Sequence, residues 1–415
     1  MSKLCLMFPG QGSQYIGMGK SLYDSYDIVK ECFEEAGEVL GIKLDKLCFS
    51  GDIEELTATE NAQPAILRVS YAAYQVLMKE IKCNPSVVAG HSLGEITALT
   101  CTGAISFADA IKIAQQRGKL MGEVIGRGEG TMMAVMDMNE FELEEMCRRI
   151  SSSDLKVSIA NYNSPVQMVV SGHRKAVEKL KAELDSMNVR TTVLNVSAPF
   201  HTDIMYPAAL RLRKVLGEYS YHGFKWPVIS NVTATPYEHR AYIVSKLTNQ
   251  VYQPVQWLKS IQYAINQDID TFVEIGPKNV LRNLISQIDR QKKAYSFSEI
   301  KDLDVLKEAG IEAKPNGIGL ITACLTTAVS TQNFNWDNEE YERGVVMPYR
   351  RIQEMKDRLQ SEGREPVMEQ IKEAVSLLNH ILKTKKVSDV ERKSRINKIL
   401  FQTNTAELLT LSDFD

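Results

Sequence analysis

Apolar residues in this chain fall into short continuous runs separated by longer stretches of helical spacing. That alternation predicts an α/β protein. Leu4–Phe8 reads as a first strand and ends in the turn Pro9-Gly10-Gln11-Gly12-Ser13-Gln14. Helical spacing runs through Tyr23–Leu40 and again through Ala65–Ile81, with Pro64 placed to open the second helix. Val87–Ala89 is a buried strand, and the run from Ile96 to Cys101 is a helix. Phe107–Gly122 carries an apolar stripe at Phe107, Ala110, Ile111, Ala114 and Leu120.

From Gly126 the pattern changes. A strand (Met132–Met136), a polar helix (Glu140–Ile150), two strands (Lys156–Tyr162 and Val166–Ser171), a charged helix (Lys175–Met187) and a strand (Arg190–Leu194) follow in order. This is the β-α-β-β-α-β succession of a ferredoxin-like unit. It predicts a small subdomain at 126–195 inserted into a larger one formed by 1–125 and 196–290. The larger one resumes with the helix Met205–Leu216, buried strands at Val228–Asn231 and Thr271–Ile275, and helices at Pro254–Ala264 and Val280–Ile288. Residues 291–335 read as an irregular linker. Residues 336–415 read as a helical extension with apolar stripes, ending in a helix over Asp389–Phe401.

Bulk properties narrow the picture. The 415 residues carry a formal net charge of −3, with 44% apolar and 24% charged residues. That balance provides no electrostatic case for nucleic acid or an anionic membrane surface. No apolar run approaches the roughly 20 residues a membrane-spanning helix needs. The first residues lead into a strand and its turn and do not read as a signal peptide. Seven cysteines show no metal-ligand spacing, so reduced, mostly buried thiols, a cytoplasmic location and no metal are expected, with Cys48 and Cys83 the two that could be exposed.

Chemistry concentrates at Gly90-His91-Ser92-Leu93-Gly94-Glu95. A buried strand, a sharp glycine-flanked turn and a helix form a nucleophile elbow, as in α/β-hydrolase-like folds. It lifts the Ser92 hydroxyl out of the sheet beside the helix N-terminal N–H groups. Of six histidines, His201 has the best setting for its base, within Ala198-Pro199-Phe200-His201-Thr202 and just before a helix. Gln11 lies in a flexible turn whose backbone could cradle an oxyanion or a phosphate. Arg117, on the helix after the elbow helix, reads on its own as a surface charge.

Several of these motifs together resemble the malonyl-CoA:acyl-carrier-protein transacylase family over residues 1 to about 290. The match covers Phe8 to Gln14, Gln63, Gly90 to Glu95, Gln116-Arg117-Gly118, Asn161-Tyr162-Asn163-Ser164-Pro165, Pro199-Phe200-His201-Thr202, Gln250 to Trp257, and Glu274-Ile275-Gly276-Pro277. The resemblance implies Ser92 as the acylated nucleophile and His201 as its base, oriented by the Gln250 backbone carbonyl in place of an aspartate. It implies an oxyanion hole of the Gln11 and Leu93 N–H groups, and Arg117 as the ligand of the malonyl carboxylate. Gln63, Met121, Met132, Asn161, Asn163 and Phe200 match positions that line the pocket, Phe200 in its malonyl-selective form. No cofactor is implied: malonyl-CoA is a substrate, and phosphopantetheine belongs to the partner carrier protein. A monomer is expected, with Lys175, Lys179, Lys181, Arg211, Arg213 and Lys214 as candidates for docking an acidic carrier.

The chain departs from the family pattern at Gly276-Pro277-Lys278-Asn279, where Gly-Pro-Gly-Lys is usual. Met347-Pro348-Tyr349, Glu362 to Pro366 and Thr384-Lys385-Lys386 resemble the extension of discrete acyltransferases that serve modular polyketide synthases in trans. The readings set beside one another are a stand-alone malonyltransferase for a polyketide assembly line, the same chemistry in fatty-acid synthesis, a proofreading acyl hydrolase, and a non-catalytic scaffold.

Overall fold

The structure is a computed structural model that describes residues 3–124, 129–196, 198–312, 315–405 and 409. It divides into two units, Met1–Ile311 and Glu312–Asp415. Gly126-Arg127-Gly128, where the pattern changes, and Ser197 lie outside the described residues.

The first unit is built on a parallel sheet. Strands β1 (Leu4–Phe8) and β2 (Val87–Gly90) lie at its centre. Four more strands, β3 (Gly130–Met136), β4 (Val157–Ser164), β5 (Gln167–His173) and β6 (Thr191–Val193), belong to a second sheet. Strands β7 (Val228–Ile229), β8 (Thr271–Ile275) and β9 (Lys293–Phe297) return to the first. The main sheet runs β7-β2-β1-β8-β9, every neighbour parallel. Its central strands are buried throughout, as parallel strands covered on both faces must be. Alternate β1 residues divide the core: Leu4, Leu6 and Phe8 join one apolar cluster, Cys5 and Met7 the other.

The second sheet is antiparallel in the order β4-β5-β3-β6, with the helices Glu140–Ile150 and Arg174–Ser186 packed over a core that includes Met133, Val135, Leu143 and Leu180. Its β4 is tied to the large subdomain by two backbone hydrogen bonds, Tyr162 N–H to Val255 O at 3.0 Å and Val255 N–H to Ala160 O at 2.8 Å. That tie fixes the small sheet's edge against the site.

Several expectations need correcting. Helical spacing over Tyr23–Leu40 resolves into two helices, Lys20–Ser25 and Asp27–Leu40, because Tyr26 is extended. Pro64 does not open a helix; it lies inside Thr59–Glu80. It is the sixth helical residue, so its missing N–H costs the helix one intrahelical bond, that to the Glu60 carbonyl. Cys48 and Cys83 are buried with the other five cysteines.

Residues 291–335 are not a linker. β9 extends the main sheet, and Asp302–Glu308 is a helix of the first unit. Only Phe297 of β9 is fully buried, so an edge strand held by backbone pairing leaves little apolar pattern. Gly317–Ser330 is a helix whose Leu320, Ile321, Cys324, Leu325 and Ala328 enter the second unit's core. Asn316 caps it, its Oδ1 accepting from Gly319 N–H at 2.7 Å. Packing here overrides the poor helix propensity of its glycines and threonines. The remaining helices of this unit include Met347–Glu362, Met368–Thr384 and Asp389–Gln402.

Candidate active site

The site lies at the carboxyl ends of β1 and β2, where parallel sheets carry their ligands. Ser92 follows β2 in a strained left-handed conformation, φ 52 and ψ −108. Glycine is required on both sides: a Cβ at Gly90 would stand 1.9 Å from Gly94 O, and one at Gly94 would stand 2.0 Å from Phe8 O. Asn231, just beyond β7, clamps the turn. Its Oδ1 accepts from the Ser92 N–H at 2.7 Å, and its Nδ2 donates to Gly90 O at 2.6 Å.

Ser92 Oγ lies 2.8 Å from His201 Nε2. His201 Nδ1 lies 2.6 Å from the Gln250 backbone oxygen. A carbonyl only accepts, so the ring proton sits on Nδ1 and Nε2 is left to accept from the serine. Burial, helped by the nearby Arg117 cation, pushes the His201 pKa down to about 3. The imidazole is therefore neutral and available as a base.

Arg117 is not a surface charge. It is 2% exposed on the helix Phe107–Gly122. Its Nη1 donates to Gln63 Oε1 at 2.7 Å, and its Nη2 donates to Ser92 Oγ at 3.1 Å and to Gln250 Oε1 at 2.9 Å. Its Nε is buried without a partner among the described residues. Burial lowers its pKa to about 10, against the pull of Glu95, so it stays cationic at neutral pH. The serine oxygen is thus held between a base and a buried cation.

A cavity of about 540 Å³ opens over this group. It brings together Gln11, Gln63, Ser92, Arg117, Met121, Met132, Asn161, Asn163, Phe200 and His201. Leu93 begins the elbow helix, so its N–H belongs to the unpaired first turn. Gln250, on the helix Ile243–Tyr252, reaches the site through its carbonyl and its side chain. In the turn after β1, Gln14 Oε1 accepts from Gly12 N–H at 2.7 Å and Gln11 Nε2 donates to Thr59 Oγ1 at 3.2 Å. Lys278 occupies a left-handed φ of 66 that glycine would adopt more readily, and its ammonium donates to Gly12 O at 3.0 Å. The departure in that loop thus adds a contact to the Gln11 turn. No His/Cys/Asp/Glu group among the described residues could hold a metal ion, and no helix is long and apolar enough to cross a membrane.

Three participants escape a reading of the sequence. Asn231 is read as the last residue of a buried strand, but that strand ends at Ile229 and leaves its side chain to reach the elbow 139 residues away. His91 lies 2.9 Å from Asn163 Oδ1, a pairing 72 residues apart. Glu95 looks like an ordinary helix residue until its buried partners are seen. The available signal was position: Asn231 closes a predicted buried strand, and Glu95 follows the serine within the elbow motif.

Residues 5–307 match the acyl transferase domain family. A malonyl CoA-acyl carrier protein transacylase of Bacillus subtilis is 38% identical over 396 residues, 94% of this chain and 99% of that protein. A second, from Bacillus subtilis strain 168, is 43% identical over 307 residues, 74% of this chain and 96% of its own length. A solved malonyl-transacylase in complex with its type II PKS acyl-carrier protein superposes with a TM-score of 0.72 at 35% identity, covering 74% of this chain and all of that one. The chain therefore belongs to the malonyl CoA-acyl carrier protein transacylase family and is an acyltransferase.

Proposed function

We propose that this protein is an acyl-carrier-protein S-malonyltransferase, moving malonyl from malonyl-CoA to a carrier-protein phosphopantetheine thiol through a malonyl-serine. The observation that carries the reading is Arg117. A buried guanidinium 3.1 Å from the nucleophile and missing a partner at Nε calls for an acyl group that brings its own anion. A proofreading hydrolase acting on neutral chains has no use for that cation, and a scaffold has no use for the aligned Ser92 and His201.

In the first half-reaction Ser92 Oγ attacks the thioester carbonyl as His201 Nε2 takes its proton. The Gln11 and Leu93 N–H groups hold the oxyanion, and CoA leaves as the thiol with the proton returned by His201. In the second, the carrier thiol gives its proton to His201 and attacks the ester, and Ser92 regains its hydroxyl. Phe200, Met121 and Met132 provide apolar walls that limit water, while Gln63 orients Arg117.

Service of a polyketide synthase in trans is our reading of the second unit, whose Met347-Pro348-Tyr349, Glu362 to Pro366 and Thr384-Lys385-Lys386 resemble the extension of discrete acyltransferases. The Bacillus subtilis relative matched over 396 residues shares it, while the relative matched over 307 residues does not extend through it. An acidic carrier is the expected partner. Of the candidate docking cations, Lys181 pairs with Asp185 at 2.6 Å and Arg211 with Glu123 at 3.0 Å, so those two are already partly balanced.

The test uses labelled malonyl-, methylmalonyl- and acetyl-CoA, followed by a polyketide-synthase carrier domain or a fatty-acid carrier protein. Malonyl should form the Ser92 ester and pass to the polyketide carrier with the higher kcat/KM. Arg117→Ala should lose malonyl transfer by about a hundredfold or more, while acetyl transfer is kept or gained. Undiminished malonyl transfer in that variant removes the carboxylate role.

A further inference from the structure

Glu95 lies three residues beyond the nucleophile, on the elbow helix Leu93–Cys101, and is completely buried. A buried carboxylate is costly unless it is fully hydrogen-bonded and its charge is balanced. Its bonds are complete. Oε1 accepts from the Tyr237 hydroxyl, and Oε2 accepts from Asn231 N–H at 3.0 Å and from Gln250 Nε2 at 2.7 Å. Every partner is a donor, the environment an ionised carboxylate requires.

Gln250 then has no freedom to flip. Its Nε2 faces Glu95 Oε2 and the Ser92 backbone oxygen at 2.9 Å, while its Oε1 faces Arg117 Nη2 at 2.9 Å. Reversing the amide would set its NH2 against a cation and its oxygen against two acceptors. The chain of contacts therefore runs from carboxylate to amide to guanidinium. A carboxylate placed directly on Arg117 would compete with a substrate carboxylate. With no counter-charge at all, the guanidinium would be a buried, uncompensated cation.

We infer that Glu95 is the positioning residue of the acyl-carboxylate site. From one amide away it supplies the counter-charge of Arg117 and locks the Gln250 side chain, leaving the guanidinium free to receive a substrate anion. The same Gln250 orients His201 through its backbone, so one residue sets both the base and the anion receptor. The inference rests on the malonyl reading above.

The test compares Ser92 acylation by malonyl-CoA and acetyl-CoA in six proteins, two of them carrying Arg117→Ala. Wild type is the reference. Glu95→Gln keeps the shape and removes the charge; Glu95→Asp keeps the charge; Gln250→Met cuts the bridge but keeps the backbone carbonyl. Glu95→Gln and Gln250→Met should each lower the malonyl-to-acetyl ratio of kcat/KM by about tenfold or more, through the malonyl KM; in Glu95→Gln acetyl acylation should stay within about threefold of wild type, while Gln250→Met is read by the ratio alone. Glu95→Asp should hold a ratio closer to wild type. In an Arg117→Ala background Glu95→Gln should change the ratio no further.

An unchanged ratio in Glu95→Gln overturns the inference. So does a parallel fall of malonyl and acetyl acylation, or an effect that persists without Arg117. If Glu95→Gln does not fold, Gln250→Met and Glu95→Asp decide by the same ratio. A wild-type enzyme with no preference for malonyl would instead overturn the malonyl reading itself.

Discussion

At the scale of single residues the site works by holding charge states apart. His201 is kept neutral by burial and by Arg117, with a pKa of about 3 in the unliganded protein against an ordinary histidine near 6.5. The acid limb of kcat/KM for Ser92 acylation should therefore lie below about pH 5, measured by rapid-quench acylation against pH. A substrate carboxylate on Arg117 cancels part of the cation, so the limb of kcat should lie higher than that of kcat/KM. A kcat/KM limb near 6.5 would mean the imidazole titrates as though exposed. Ser92 and His201 were legible in the sequence because each sits in a short motif whose spacing is local, whereas Arg117 read on its own as a surface charge and took its role only from the family resemblance. Asn231 and Tyr237 were not, because what they do depends on partners 139 and 142 residues away.

At the scale of elements, the loops after parallel strands carry the consequences. Glu274 is the penultimate residue of β8 and is buried, with Oε2 accepting from Arg282 N–H at 2.9 Å at the start of the helix Val280–Ile288. Burial pushes its pKa up to about 7, although the helix N–H groups pull it down. The native state thus keeps a proton that the unfolded chain releases near pH 4.5. Stability should fall as pH rises from about 4.5 to 7 and level off above, by up to roughly 3 kcal/mol. Glu274→Gln should remove that slope from urea-unfolding curves taken across the range; an identical slope would assign it to another group. The elements themselves were readable where periodicity was strong: β1, Phe107–Gly122 and Glu140–Ile150 have the bounds their patterns predicted. The helix through Pro64 and strand β9 were not, because a buried helix start and an edge strand are defined by what they pack or pair against.

At the scale of the molecule, the chain carries two sets of apolar cores that do not share residues. Clusters of the first unit end at Ile311, and that of the second begins at Leu320. Every candidate site residue lies in the first unit. A fragment of residues 1–311 should fold alone and form the malonyl-serine within about threefold of the full chain, as read by labelled acylation and thermal melting. Its deficit should appear in transfer to a polyketide-synthase carrier. A fragment that melts far below the full chain, or cannot be acylated, would make the second unit part of the catalytic fold.

The elbow clamp has one more consequence. The Ser92 amide is already bound to Asn231, so it is withdrawn from the carbonyl oxygen of any bound acyl group. The two amides proposed for that oxygen, those of Gln11 and Leu93, follow different strands, β1 and β2. Those strands are direct neighbours, in register at Phe8 and Gly90. The turns that present those two amides are therefore anchored on adjacent paired strands, whose spacing of about 4.8 Å the backbone ladder maintains whatever side chains surround it. Substitutions in the pocket walls can therefore reshape the cavity while the strand pairing that carries both turns stays in place.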